Sequence, residues 1–395
     1  VPARLKTTGI VLLLIGLATL VGGWIALLGG QPEDQARFWI VLLQNSIYFL
    51  FLAVSAVFIQ AAAGLAQGSW IVAYRRVPES IGANVWVFGL ITLVVLFSIV
   101  FGLGEHNPMY HWVHPEGDKI LEGKSAFLNP GMFVGFSVVA VGLWSWFGYK
   151  FRQNSIAQES APKNSTKLYW RMVALSGAFL FTYALTMMST TPWMWIMSIE
   201  AHWYSTLFSW YVFASAFVSC MALILLFVVY IKNTGNFSLV TKEHMHDLGK
   251  FMFAFSIFWT YLWFAQFLLI WYGDVREETT YFIFRAQGPY SFSFYATIIL
   301  NFVLPILVLM TRPSKRNYFT IVFMAILILF GHWLDFYLMT VPNVLLQNWH
   351  LSWYEMGITA GFIGIMILLV SRTFSKANLI TLNNPFLKEA IIHVS

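Results

Sequence analysis

Residues 206–231 read TLFSWYVFASAFVSCMALILLFVVYI, 26 positions without one Asp, Glu, Lys, Arg or His. At about 1.5 Å of rise per residue, a helix of that length exceeds the roughly 30 Å of hydrocarbon in a bilayer. A strand is excluded, because outside a closed barrel it would leave backbone N–H and C=O groups unsatisfied in lipid. The same reading extends to approximately 9–28, 38–66, 83–103, 130–150 and 170–190 on one side, and to 248–272, 290–311, 318–341 and 353–371 on the other. The chain of 395 residues is 59% hydrophobic and 10% charged, with a mean hydropathy of +0.70; a soluble domain carries about a quarter charged residues. We read an all-α polytopic membrane protein of about ten transmembrane helices, two four-helix bundles plus two flanking helices. A soluble enzyme, a DNA-binding module and a disordered scaffold are ruled out.

The net charge of +6 and pI near 9.2 do not signal nucleic acid, because the basic residues are scattered along connectors. They orient the chain instead. With the N-terminus inside, eighteen of the 23 Lys and Arg residues fall in inner connectors, among them Arg4, Lys6, Arg75, Arg76 and Arg372. Five fall outside: Arg37, Lys119, Lys124, Arg276 and Arg285. One miscounted helix would scramble that division, so both termini are expected in the cytoplasm. The stretch Ile10–Leu28 resembles a signal peptide, but it is long for one and no Ala-x-Ala follows, so a retained first span is expected. The division anticipated is 1–37 for the first helix and its outer loop, 38–169 for the first part of the bundle region, 170–341 for the remaining bundle helices, and 342–395 for the last helix and tail. The polar segment Gln153–Lys167 reads as a flexible joint. Cys220, the single cysteine, has no partner for a disulfide and reads as packing.

An ionisable side chain within a span is costly, and the default reading is functional. After the connectors are subtracted, only His332 and Asp335 remain in a span, while Glu200, His202, His350 and Glu355 lie in short outer connectors. Positions three apart share a helix face, so His332 and Asp335 address the same space. Asp335, Gln266 and Asn45 all fall about 10 Å below the outer interface. Such a level suits a quinone pocket or a proton path: a carboxylate or imidazole takes a hydroxyl proton and an amide holds a carbonyl. The plainer reading is a polar clasp between helices. With no Lys or Arg in a span, a neutral acid or a shared proton is expected rather than a fixed ion pair. The outer connector Gly104–Asn129 carries Glu105, His106, His111, His114, Glu116, Asp118 and Glu122; their spacing fits no standard zinc pattern, which leaves a solvated cap or a docking surface. Trp193, Trp195, Trp203 and Trp349 read as an interfacial belt. A single histidine in the spans argues against a haem b with paired axial ligands. There is no cysteine cluster, GxGxxG or Walker-type loop, so no cofactor is expected in this chain.

The segment PWMWIMSIEAHWYSTLFSWYVF (192–213) resembles the NrfD and polysulfide-reductase membrane anchor family. The likeness continues through HMHDLGKFMF (244–253), RAQGPYSFSFYATIILNFVLPILVL (285–309) and GHWLDFY (331–337), and is greatest to the shorter of two such subunits in bacterial alternative complex III. It covers spans two to nine. The resemblance implies a bacterial inner-membrane subunit of a quinol:cytochrome c oxidoreductase, with quinol bound near the outer face. It implies partners as well: a longer NrfD-like sister, an iron–sulfur subunit and haem c subunits that carry the electrons, lipids, and a terminal oxidase. In the longer sister the positions matching Met194, Gln266 and Phe336 are acidic, acidic and basic; here all three are neutral. The resemblance therefore implies a structural and proton-conducting subunit with a degenerate quinone pocket. A direct quinol-oxidising subunit built on His332, Asp335, Gln266 and Glu200, and a secondary transporter, are the alternatives.

Overall fold

Among the described residues, ten helices are long and apolar enough to cross a membrane: Ala3–Ala26, Pro32–Leu65, Arg76–Gly102, Pro130–Glu159, Lys167–Ile199, Phe208–Asn233, Lys242–Gly273, Ser291–Leu309, Tyr318–Thr340 and Trp353–Phe374. The computed structural model describes residues 3–102, 109–115, 117–162, 166–237, 239–347, 351–381 and 383–393. The protein is all-α and polytopic, as the apolar runs require. Several helix starts are fixed by side chains that accept from otherwise orphaned backbone N–H groups. Asn129 Oδ1 accepts from Met132 N (2.8 Å) ahead of Pro130. Asn317 Oδ1 accepts from Phe319 N and Thr320 N (3.0 and 3.2 Å). Ser352 and Glu355 cap the tenth span reciprocally, as Thr241 and His244 cap the seventh.

Spans two and six form the buried centre, packed on each other. Spans three, four and five gather round the second; spans seven and nine pack on the sixth, and the eighth packs on the seventh and ninth. The fifth span packs on the second and fourth and, through its π turn and the short helix after it, on the sixth as well. The expected flexible joint is mostly helix, since the fourth span runs on to Glu159; of its residues, 163–165 lie outside those described.

The first span packs on the tenth along a seam of small residues: Gly9, Gly16 and Gly23 face the stretch Tyr354–Leu368. A Cβ on Gly16 would come within 2.2 Å of the Gly361 Cα, so only glycine permits this approach.

Two spans contain π-helical turns, Thr186–Thr190 ahead of Pro192 and Ile299–Val303 ahead of Pro305. A proline inside a helix lacks a donor and its ring meets the carbonyl of the preceding turn; the wider turn makes room for it. The Ser209 hydroxyl donates to the Ser189 carbonyl released there (2.6 Å).

Other expectations are corrected by burial. Trp195 and Trp203 do not face lipid: Trp195 is fully buried, donating from Nε1 to Ser137 Oγ (2.8 Å), and Trp203 stacks on Tyr281 with ring centroids 4.1 Å apart. Trp193 is half-buried, and Trp349 lies outside the described residues. Arg75 and Arg76, assigned to a solvated connector, are buried around Glu79. Arg37 lies inside the second span, 2.7 Å from Glu355, which is itself fully buried in the tenth span rather than in a connector. Cys220 is fully buried.

Candidate functional site

On the ninth span His332 and Asp335 occupy one face, three residues apart, and both are buried. The sixth span presents Tyr211 and Ser215 to them, four residues apart on its own face, and the seventh presents Trp259. Asp335 Oδ2 accepts from Ser215 Oγ and from Trp259 Nε1, each at 2.8 Å, and Oδ1 accepts from the Tyr211 hydroxyl. His332 Nδ1 is 3.8 Å from Asp335 Oδ2, too far for a direct hydrogen bond. Ser215 bridges them, its Oγ also lying 2.9 Å from His332 Nδ1. The Trp259 ring stands edge-on to the imidazole at 5.4 Å and 84°. Three donors thus converge on a carboxyl group that composition alone left unsupported.

A cavity of about 20 Å³ adjoins this cluster, lined among others by Tyr211, Gln266, Tyr281, Arg285, Thr297 and Asp335. Arg285 comes from the short helix Arg276–Gln287 between spans seven and eight and is buried. Its guanidinium donates to the carbonyls of Leu338 and Tyr281 and to Asn343 Oδ1, each at 2.9 Å, and lies 3.8 Å from Glu200 Oε2. It also covers the Tyr281 ring, 3.4 Å from the centroid. A cation therefore does reach the cavity, from the helix between spans seven and eight. Burial raises the Glu200 carboxyl above its ordinary 4.5, opposed by Arg285, by the Asn343 hydrogen bond and by His202. Burial likewise pushes Tyr281 up to about 12, with Arg285 pulling the other way.

Of the residues singled out in the sequence, His332, Asp335 and Gln266 gather here, and Glu200 stands at the outer rim through Arg285. Asn45 does not join them. Its Oδ1 accepts from Trp333 Nε1 (3.1 Å) and Thr359 Oγ1 (2.9 Å), and its Nδ2 donates to the Val41 carbonyl (2.9 Å) and to Gln44 Oε1 (2.8 Å). It is a clasp joining spans two, nine and ten. Trp333, next to His332 in the chain, points about 100° round the helix from it. His202 is 55% exposed and pairs with Asp118 Oδ2 at 3.0 Å, outside the cavity. His350, Glu105, His106 and Glu116 lie outside the described residues. Met194 and Phe336 are fully buried, Phe336 against Tyr48 and Phe51 of the second span.

Tyr211, Ser215, Trp259 and Arg285 were not anticipated. The i, i+4 spacing of Tyr211 and Ser215 in an otherwise apolar span was the available signal. Further inward, Asn301 sits in the second π turn, fully buried, and a Cβ on Gly331 would come within 2.1 Å of its Oδ1. His332 Nε2, Ser256 Oγ, Gln266 Oε1 and both Asn301 side-chain polar atoms are buried with no hydrogen-bond partner among the described residues. Such atoms in native proteins are commonly served by bound water.

The arrangement can move a proton. Ser215 can receive one from His332 Nδ1 while delivering its own to Asp335 Oδ2, because a hydroxyl both donates and accepts. No family model and no curated protein matches the sequence.

Proposed function

We propose that this chain is an accessory membrane subunit of a bacterial respiratory quinol:cytochrome c oxidoreductase, of the shorter NrfD-like kind called ActF in alternative complex III, and that it conducts protons through Asp335 without oxidising quinol. The reading places it in the bacterial inner membrane with both termini cytoplasmic. Electrons are carried by iron–sulfur and haem c subunits outside it.

The observation that carries the proton-conducting part is the size of the space at Asp335. About 20 Å³ admits roughly one water and no quinone ring, while the groups around it form a bridged line from Tyr211 through Asp335 and Ser215 to His332. Arg285 and Glu200 close the outer end, where an exchangeable carboxyl with raised proton affinity suits entry or release.

The variant Asp335→Asn tests this in the complex isolated from native membranes and reconstituted into vesicles. An amide can accept from Ser215 and Trp259 with its oxygen and donate to the Tyr211 oxygen with its nitrogen, so assembly should survive. Electron transfer from quinol to cytochrome c should continue while proton release per electron falls. Unaltered proton release across a range of pH would end the path through Asp335. A quinone-competitive photolabel attaching to this chain would favour the direct quinone site. Isolation of the chain without haem-bearing partners would favour a transporter.

A further inference from the structure

On the side of the ninth span away from Asp335, a groove of about 420 Å³ runs between spans two, six, nine and ten. It begins beside Met356, near the start of the tenth span, and ends beside Tyr230 and Leu5, at the face where the chain begins. Its walls are hydrocarbon and aromatic, including Leu226, Phe330 and Ile363. Three of its lining donors are spent on other protein groups: Tyr48 donates to the Leu329 carbonyl (2.9 Å), and Trp333 and Thr359 donate to Asn45. The remaining lining hydroxyl, that of Tyr230, stands at the end beside Leu5, where a headgroup would sit. An apolar cavity stays dry, so in a membrane its filling is a hydrocarbon chain.

The mouth beside Leu5 is electropositive. Gly16 lies against Gly361 and Gly9 against Leu368, and this antiparallel register sets Leu5 level with Arg372. Arg4, Lys6 and Arg372 are all exposed there. Spans one and six contain no Asp or Glu, and the tenth has only Glu355, at the opposite end and paired with Arg37.

We propose that the groove binds one acyl chain of an anionic phospholipid, whose phosphate meets Arg4, Lys6 and Arg372. An isoprenoid tail would fit the same walls. Its ring, however, would need a partner at the far end, where Thr359 and Trp333 are already committed to Asn45. The proposal needs only the membrane-spanning fold and is independent of the respiratory reading.

The test uses the full-length protein, with whatever subunits accompany it, washed free of loosely held lipid and measured by native mass spectrometry. Phosphatidylglycerol and phosphatidylcholine of identical acyl chains serve as probes. One phosphatidylglycerol should be retained per chain in preference to phosphatidylcholine, at about fivefold for each cation engaged. Arg4→Glu with Lys6→Glu should abolish the preference. Ile363→Trp, at a wall position 39% exposed and hence tolerant, should lower retention of both lipids several-fold with unchanged thermal stability. Equal retention of the two probes by the unaltered protein would overturn the proposal, as would undiminished phosphatidylglycerol binding in the charge-reversed variant. One quinone per chain in the organic extract, in place of phospholipid, would assign the groove to an isoprenoid tail instead.

Discussion

Removing the Glu79 carboxylate should unfold the protein more readily than almost any other single polar change. Glu79 is 1% exposed; Oε1 accepts from Arg75 Nε at 2.9 Å and Oε2 from Arg76 Nη1 at 2.7 Å. Arg76 also donates to Ser155 Oγ (3.1 Å) and to Glu159, and Arg152 reaches Ser80 Oγ (3.3 Å) and the Thr373 carbonyl (2.7 Å) nearby. Two guanidiniums thus share two carboxylates, and Glu79 is the more buried of the two. Breaking a buried pair from one side costs about 3–5 kcal/mol, because the remaining charge stays desolvated. Glu79→Ala should therefore lower the apparent melting midpoint by several degrees, on the order of 5–10 °C. Glu159→Ala should cost less, since Glu159 is partly exposed and Arg76 keeps Glu79. Replacing all three of Arg75, Arg76 and Glu79 by Met, Met and Leu removes the charges together and should stay within about 2 kcal/mol of the parent. The assay is built into the chain: Cys220 is the single cysteine and is fully buried, so a thiol-reactive dye reports unfolding at one position. A Glu79→Ala midpoint within a degree of the parent, or a triple variant less stable than Glu79→Ala, would refute the buried-network account.

Gly331→Ala should destabilise by about 1–3 kcal/mol through overpacking, because the new methyl meets Asn301 Oδ1 at 2.1 Å; adding Asn301→Ala should recover part of the loss, and the same melting assay reads both. For Glu200 the folded-state affinity for a proton lies above the ordinary value, so its contribution to stability is complete at acid pH and is lost as pH rises through the raised value. Glu200→Gln should accordingly gain relative to the parent as pH climbs above the ordinary carboxylate range, and a flat difference between their midpoints from pH 4 to 8 would contradict this.

The ten spans could be read because lipid leaves the backbone no choice but helix, and because the charges mark the connectors. The approach of Gln266 to Asp335 could be read too, since rise per residue is fixed; both line one cavity. What could not be read was azimuth. A helix apolar all round carries no stripe to say which side meets a neighbour, so Asn45 was grouped with Asp335 although it faces Trp333 and Thr359. The same blindness placed Trp195 and Trp203 in lipid: an indole is at home in hydrocarbon and in a helix interface alike. Arg37, Arg75 and Arg285 were counted as solvated because they lie near span ends, where one turn separates water from a buried pair. Tyr211, Ser215 and Trp259 escaped notice because a hydroxyl or an indole in a span carries no charge to flag it.

The glycine seam between the first and tenth spans has a consequence in time. The partner of Gly16 is Gly361, and the first span ends at Ala26 while the tenth begins only at Trp353. At about 5–20 residues per second of synthesis, the first span waits roughly a quarter of a minute to a minute before its glycines have a surface to meet. During that interval the bilayer alone must hold it, and any stop in translation before the tenth span leaves it without its place in the bundle.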